Sequence, residues 1–206
     1  MMGQKDISRQ IMPRRTDGIR YRASRGRRTV LLEQIKLAVV LSLTGLMLIA
    51  LETTLLSRVP IPFFGWTAAS PALGLLFSMA VGFLHGEQEG GVTGMLCGWL
   101  IDSAGADRGI MLLPLLYLLC GYMSGTVGKR RLAHNLPSFM VFSIFGGGMY
   151  SLFSLGRVML LLRGMPPVFW IWNGLMPGWL LTVIFSPAVY AIVWGEKKIM
   201  EIKGKL

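Results

Sequence analysis

A series of apolar segments between Leu37 and Trp194, separated by only short polar stretches, constrains this chain more than any other feature. Apolar residues make up 53% of its 206 residues and charged residues 15%, which leaves too little polar surface to cover a soluble fold. The first segment, about Lys36 to Leu56, would form a helix about 31 Å long, which matches the bilayer hydrocarbon core of about 30 Å. The sequence therefore predicts an all-α, polytopic membrane protein.

Six candidate membrane-spanning segments can be read from the sequence. They cover approximately residues 36–56, 66–84, 90–101, 110–127, 137–162 and 174–194. The second and third are short, so they are either short tilted spans or a re-entrant pair, and both alternatives stay open. The first is too long for a signal peptide and is expected to remain as an anchor. We predict one bundle of about six transmembrane helices over residues 36–195, with a flexible basic arm over residues 1–35 and a basic tail over residues 196–206.

The net charge of +11 is concentrated at the ends of the apolar segments, which argues against a nucleic-acid-binding surface. Nine Lys and Arg residues lie in residues 1–35, and two further clusters are Lys129, Arg130, Arg131 and Lys197, Lys198, Lys203, Lys205. All three clusters lie on one side of the membrane if the two short segments both cross it or if neither does. The positive-inside rule then predicts cytoplasmic N and C termini. Anionic lipid is an expected partner of the basic arm.

The sequence offers no cluster typical of catalysis or of metal binding. Both cysteines lie inside apolar segments and are interpreted as packing residues, and the two histidines have no Cys or His companion at ligand spacing. There is also no Ser/His/Asp set and no phosphate loop. We therefore predict no catalytic residues, no metal site and no cofactor.

The sharpest local pattern is the four-residue spacing of Gly90, Gly94, Gly98 and Asp102. On a helix this spacing places the glycines on one face. Apolar surface alone does not drive helices together in lipid, but a glycine face permits the close backbone packing that does. We interpret this face as a helix-packing or partner-binding surface, anchored by Asp102.

Three charged residues within apolar segments are expected in the outer leaflet: Glu52, Asp102 and Arg157. Charges inside a membrane are costly unless they are paired or reach the interface. One hypothesis is that Arg157 pairs with Asp102, with Glu52, or with both, and so fixes the packing of three spans. The alternative is that each side chain extends separately to the headgroups.

Residues 90–125, GGVTGMLCGWLIDSAGADRGIMLLPLLYLLCGYMSG, resemble the central signature of the bacterial rod shape-determining protein MreD family. That family shows glycines at four-residue spacing, a hydrophobic triplet, an aspartate, and a Gly-rich turn into a Leu-rich span. Residues 172–198 resemble the family's last span, and they include the motif residues Asn173, Pro177, Pro187 and Tyr190. The long basic arm and Glu52 depart from the family pattern.

The resemblance implies a non-enzymatic scaffold of the cell-elongation machinery in the bacterial inner membrane, which supports peptidoglycan synthesis and rod cell shape. The implied partners are MreC first, with MreB, a SEDS glycosyltransferase and a class B penicillin-binding protein in the same assembly. The implied fold is similar to the substrate-binding subunits of energy-coupling-factor vitamin transporters.

Such a transporter subunit is the alternative function. It would need a buried polar pocket open to the outside, which Glu52, Asp102, Arg157 and Asn173 could line. A membrane enzyme acting on a lipid-linked substrate ranks last.

Overall fold

The computed structural model describes residues 35–56, 71–104, 112–129, 135–161 and 171–203, and these residues form six helices. Helix α1 covers residues 35–50 and continues into a π-helical turn, Leu51–Leu56. The other helices are α2 (Leu73–His85), α3 (Glu87–Ala104), α4 (Leu113–Lys129), α5 (Leu136–Leu161) and α6 (Met176–Lys203), the last preceded by a π-helical turn, Ile171–Leu175. The chain divides into two units, residues 1–40 and 41–206, and the second contains α2 to α6 and α1 from Leu41 onward.

Three of these helices are long and apolar enough to cross a membrane. They are the stretches Ile35–Thr54, Leu136–Arg157 and Met176–Ile199. Only 22%, 22% and 33% of their most apolar windows are buried inside the protein, so most of this apolar surface faces outward. The chain is therefore a helical membrane protein. The number of crossings and the side on which the termini lie stay predictions.

The helix ends differ from the sequence prediction in three places. Helix α3 is longer than the predicted segment 90–101, because Glu87 to Glu89 form its first turn. Helix α6 runs to Lys203, so most of the predicted tail is helical, as its Lys, Glu and Met residues favour. Helix α2 begins only at Leu73, after Pro71. The start of that predicted segment, and residues 1–34 of the basic arm, lie outside the described residues.

Helix α2 is the buried centre of the bundle. All twelve residues from Leu73 to Leu84 are buried. A helix that is apolar on every side is one that other helices surround. Its 13 residues give a length of about 20 Å, less than the hydrocarbon core of about 30 Å. The sequence left a short span or a re-entrant segment open here, and the structure shows a central core helix.

Contacts between named residues show that successive helices alternate in direction. Gly82 lies against Gly90 and Gly74 against Ile101, so α2 and α3 are antiparallel. Helices α1 and α2 are also antiparallel, because Gly45 contacts Phe77 and Glu52 accepts a hydrogen bond from Gly74. Helices α3 and α4 are antiparallel as well, because Gly94 contacts Tyr117 and Gly98 contacts Pro114. Helices α5 and α6 are also antiparallel, because Phe139 contacts Tyr190 and Ile144 contacts Trp179. Helix α6 runs parallel to α2, because Thr182 bonds to Ala72 and Lys197 bonds to Leu84. Helices α2, α4 and α6 therefore all end at the same end of the bundle.

A single residue, Gly86, joins α2 to α3. Its φ of 140° lies in a region that favours glycine. Its N–H donates to the carbonyl of Gly82, and its own carbonyl accepts from the N–H of Gly90, both at 3.0 Å. The two helices therefore fold back on each other in a tight hairpin.

Candidate functional site

The glycine face predicted on α3 is covered by α4 and α2. A Cβ at Gly98 would lie 2.7 Å from the Cα of Pro114, and one at Gly94 would overlap the carbonyl group of Tyr117. A Cβ at Gly90 would overlap the backbone of Gly82. Contacts this close leave no room for a larger side chain. Of the two roles proposed for this face, the structure shows helix packing within the chain.

Glycines on α2 and α4 complete this interface. Gly121 lies against the carbonyl of Gly90, Gly125 lies against the backbone of Glu87, and Gly128 lies against Phe83. A hydrogen bond from the Ser124 hydroxyl to the Met79 carbonyl, at 2.7 Å, also joins α4 to α2. The predicted glycine repeat starts at Gly90. The same four-residue spacing extends back through Gly86 to Gly82, and this was the signal for the contribution of α2.

Arg157 and Asp102 form an ion pair that joins α5 to α3. Arg157 Nη1 lies 3.4 Å from Asp102 Oδ1. The Asp102 side chain is 4% exposed and that of Arg157 25%. The structure thus brings together two of the three intramembrane charges, in one of the pairings that the sequence left open.

Glu52 caps the buried N-terminus of α2. Its Oε2 accepts a hydrogen bond from the N–H of Gly74 at 2.9 Å, and the Thr182 hydroxyl accepts one from the N–H of Ala72 at 3.0 Å. The first N–H groups of a helix have no intrahelical partner and carry partial positive charge, so a carboxylate there is stabilising. Sequence reasoning missed this role, because the partners come from three different helices.

Two tyrosines lie beside these charges. Tyr117 is fully buried, and its ring lies 6.2 Å from that of Tyr150, centroid to centroid, in an edge-on arrangement. A Cβ placed at Gly74 would lie 3.5 Å from Tyr117 Cε1 and 2.9 Å from the side chain of Ile101. We call the group Glu52, Asp102, Tyr117, Tyr150 and Arg157 the polar cluster.

Two buried oxygen atoms of the polar cluster, Asp102 Oδ2 and the hydroxyl of Tyr117, make no hydrogen bond in the described part of the chain. An unsatisfied polar atom in a buried site costs about 1–3 kcal/mol, and more when the group is charged. These two atoms, from α3 and α4, are therefore the chemically distinctive feature of the cluster.

The opposite end of the bundle carries basic residues. Lys129 Nζ lies 2.9 Å from Glu87 Oε1, and the Glu87 carboxylate raises the pKa of Lys129 above its usual value. Lys197 Nζ donates to the carbonyl of Leu84 at 2.8 Å, close to the last turn of α2. A hydrogen bond from the Thr44 hydroxyl to the Glu196 carboxylate joins α1 to α6. The polar cluster and these lysines thus lie at opposite ends of α2.

The motif residues of the last span do not form one site. Asn173 lies in the π-helical turn Ile171–Leu175, and its side chain is outside the described residues. Pro177 is buried in the first turn of α6, and Pro187 lies inside that helix. Tyr190 is 7% exposed, with its ring 5.2 Å from that of Phe139 on α5. These residues are spread along α6, and Tyr190 packs between helices.

Within the described ranges, no three His, Cys, Asp or Glu side chains are placed together so that they could hold a metal ion. Comparisons of the chain with protein-family models, with curated proteins and with solved structures gave no match.

Proposed function

We propose that this chain is a non-enzymatic membrane scaffold of the bacterial cell-elongation machinery. In this role it binds MreC in the inner membrane, together with MreB, a SEDS glycosyltransferase and a class B penicillin-binding protein, and so supports peptidoglycan synthesis and rod cell shape. The proposal rests on the resemblance of residues 90–125 to the MreD signature. Its structural support is that the described parts of this stretch, in α3 and α4, pack closely together, and that every signature glycine from Gly90 to Gly98 contacts another helix.

The observation that most favours a scaffold is the contrast between a closed interior and apolar outer helix faces. On α1, Leu43, Leu46 and Met47 are 63%, 50% and 70% exposed. On α5, Phe145 and Leu152 are 69% and 71% exposed. Such faces can pack against helices of other membrane proteins, whereas the glycine face is already used within the chain. We therefore expect partners to bind on the outer faces.

Photocrosslinking followed by mass spectrometry tests this proposal. A photoreactive residue placed at Met47 on α1 or at Leu152 on α5 should crosslink to MreC or to the peptidoglycan synthases in native membranes. The same residue placed at the buried position Val193 is the matched control and should give no intermolecular product, since its side chain is fully buried. Crosslinks to paired ATPases and a transmembrane coupling subunit, or the absence of any elongation protein, would overturn the proposal.

Among the described residues, the polar cluster is the feature that favours the alternative, a substrate-binding subunit of an energy-coupling-factor vitamin transporter. Its charged and hydroxyl groups are of the kind that orient a polar substrate. However, the Asp102 side chain is 4% exposed and Tyr117 is fully buried, so both are closed off by the surrounding helices. Titration of the purified protein with water-soluble vitamins, followed by intrinsic tryptophan fluorescence, separates the two. Saturable quenching would support the transporter subunit, and an unchanged signal is expected for a scaffold.

A further inference from the structure

We propose that the outer face of α3 and α4 thins the bilayer beside it, and so binds membrane lipids with short acyl chains in preference to lipids with long ones. The face consists of apolar side chains that are 42% to 62% exposed: Val92, Met95 and Trp99 on α3, and Leu115, Leu119 and Met123 on α4. We call it the short face. The inference goes beyond the scaffold role and does not rest on it, because lipid contacts this face whether or not partners bind elsewhere.

Polar residues limit the length of the short face along α3. Gln88 and Glu89 are exposed at the start of this helix, and Ser103 is exposed near its end. At 1.5 Å per residue, Glu89 and Ser103 are about 21 Å apart along the helix axis, whereas the hydrocarbon core of a bilayer is about 30 Å thick. On α4, the exposed side chain of Lys129 pairs with Glu87 and marks the same boundary. Since a charged side chain in hydrocarbon is costly, the bilayer meets too little apolar length here.

Helices α5 and α6 have longer apolar stretches. The stretch of α5, Leu136–Arg157, has 22 residues, and that of α6, Met176–Ile199, has 24. These lengths correspond to about 33 Å and about 36 Å, which is enough for the whole hydrocarbon core. One side of the molecule therefore matches an ordinary bilayer, and the other matches a thinner one.

Contacts at both ends hold the shorter helices between the longer ones. Arg157, at the end of the α5 stretch, pairs with Asp102 on α3, and Lys197, near the end of the α6 stretch, donates to the Leu84 carbonyl on α2. Side chains on a helix lean towards its N-terminus, so Arg157 and Lys197 each lean towards the middle of their own helix. Because α5 and α6 are antiparallel, these two side chains lean inward from opposite ends. The missing apolar length is therefore divided between the two leaflets.

Thinning of the bilayer is the response that relieves this mismatch. Tilting α3 would not relieve it, because a tilted helix of fixed length covers less of the bilayer thickness. A bilayer thins beside a short apolar surface at a modest cost per ångström, and lipids with short acyl chains lower that cost further. Burying the exposed carboxylate of Glu89 in hydrocarbon would be more costly. Short-chain lipids are therefore expected to gather at the short face.

Quenching of a fluorophore by brominated lipids tests the inference on the full chain in vesicles. Cys97 and Cys120 are buried, so a maleimide fluorophore reacts with an introduced cysteine. Met95→Cys labels the middle of the short face, and Phe145→Cys is the matched control, because Phe145 is 69% exposed in the middle of the α5 stretch. The vesicles contain equal amounts of dimyristoleoyl and dierucoyl phosphatidylcholine, with one or the other brominated. We expect the short-chain lipid to be enriched about twofold or more at position 95 and not at position 145.

Leu119→Cys on α4 provides a second position on the short face and keeps the inference testable if Met95→Cys does not fold. The same enrichment of the short-chain lipid is expected there. An equal preference for the two lipids at all three positions would overturn the inference. A label at position 95 or 119 that neither lipid quenches would also overturn it, since a protein partner or a second copy of this chain would then cover the face.

Discussion

The α2–α3–α4 region and the α5–α6 pair are held together by different kinds of contact. In the first, backbone lies directly on backbone at Gly82, Gly90, Gly94 and Gly121. In the second, large side chains fill the space: the ring of Phe139 packs on that of Tyr190, and the indole of Trp179 donates to the Ile144 carbonyl at 3.0 Å.

This difference shows two solutions to one problem. Lipid chains are as apolar as leucine, so helices in a bilayer gain little from burying apolar side chains alone. Small residues bring backbones close enough for many van der Waals contacts, but they tolerate no added atom. Aromatic side chains reach across a wider gap and can adjust their rotamers. We therefore expect the glycine region to be the less tolerant of substitution.

The largest expected effect comes from adding atoms to the glycine interface. Gly94→Val would place a side chain where the Tyr117 carbonyl lies, so α3 and α4 would have to separate. We expect no folded, monodisperse protein on size-exclusion chromatography in detergent. Gly156→Val on α5 is the matched control, because no atom lies within 4 Å of a Cβ at that position. A folded Gly94→Val protein with a wild-type midpoint would contradict the backbone contact.

Arg157→Leu tests the ion pair that joins the two regions. The substitution leaves the Asp102 carboxylate buried without its positive partner. We expect the free energy of unfolding to fall by about 2–3 kcal/mol. This is less than for a fully buried pair, because the Arg157 side chain is 25% exposed. The Asp102→Asn/Arg157→Leu double variant should recover part of this loss. Thermal unfolding of the wild type, both single variants and the double variant measures the coupling. Strictly additive effects would show that the pair does not stabilise the fold.

Phe139→Ala tests the aromatic packing of α5 on α6. The substitution removes a fully buried ring. A phenylalanine ring is also stable in contact with lipid, so the only free energy lost is that of the packing between the helices. We expect a loss of about 1–2 kcal/mol in the free energy of unfolding, less than in a soluble core. Phe145→Ala on the same helix is the control, since Phe145 is 69% exposed and should lose almost nothing. Equal losses in both variants would argue against this interface.

The smallest effect is expected for Lys129→Gln at the basic end. The Lys129 side chain is 61% exposed, and exposed ion pairs contribute little to stability. Glu87 raises the pKa of Lys129 above the usual 10.5, so any contribution is complete at neutral pH and is lost only as the pH rises through that raised pKa. We expect wild type and variant to share one unfolding midpoint at pH 7. A clear drop at pH 7 would mean that the pair fixes the α3–α4 hairpin.

The polar cluster separates what could be predicted from what could not. The sequence predicted an interaction of Arg157 with Asp102 or Glu52, because a charge inside an apolar segment is costly and pairing with an opposite charge lowers that cost. That Asp102 is the partner of Arg157, and that Glu52 instead caps α2, depends on the packing of helices distant in sequence. Tyr117 drew no attention as a polar residue, because a tyrosine in an apolar segment is ordinary until its hydroxyl is found buried.

By itself, the sequence determined that the chain is a helical membrane protein, approximately where the six described helices lie, and that glycines at four-residue spacing pack closely. These properties follow from local composition and helical periodicity, which need no knowledge of neighbours. Only the tertiary structure decided that the short segment Leu73–His85 is the central helix and that its N-terminus is capped by Glu52 and Thr182. The physical reason is that the burial and hydrogen bonding of a helix depend on which other helices surround it. The local sequence of a helix does not specify those neighbours.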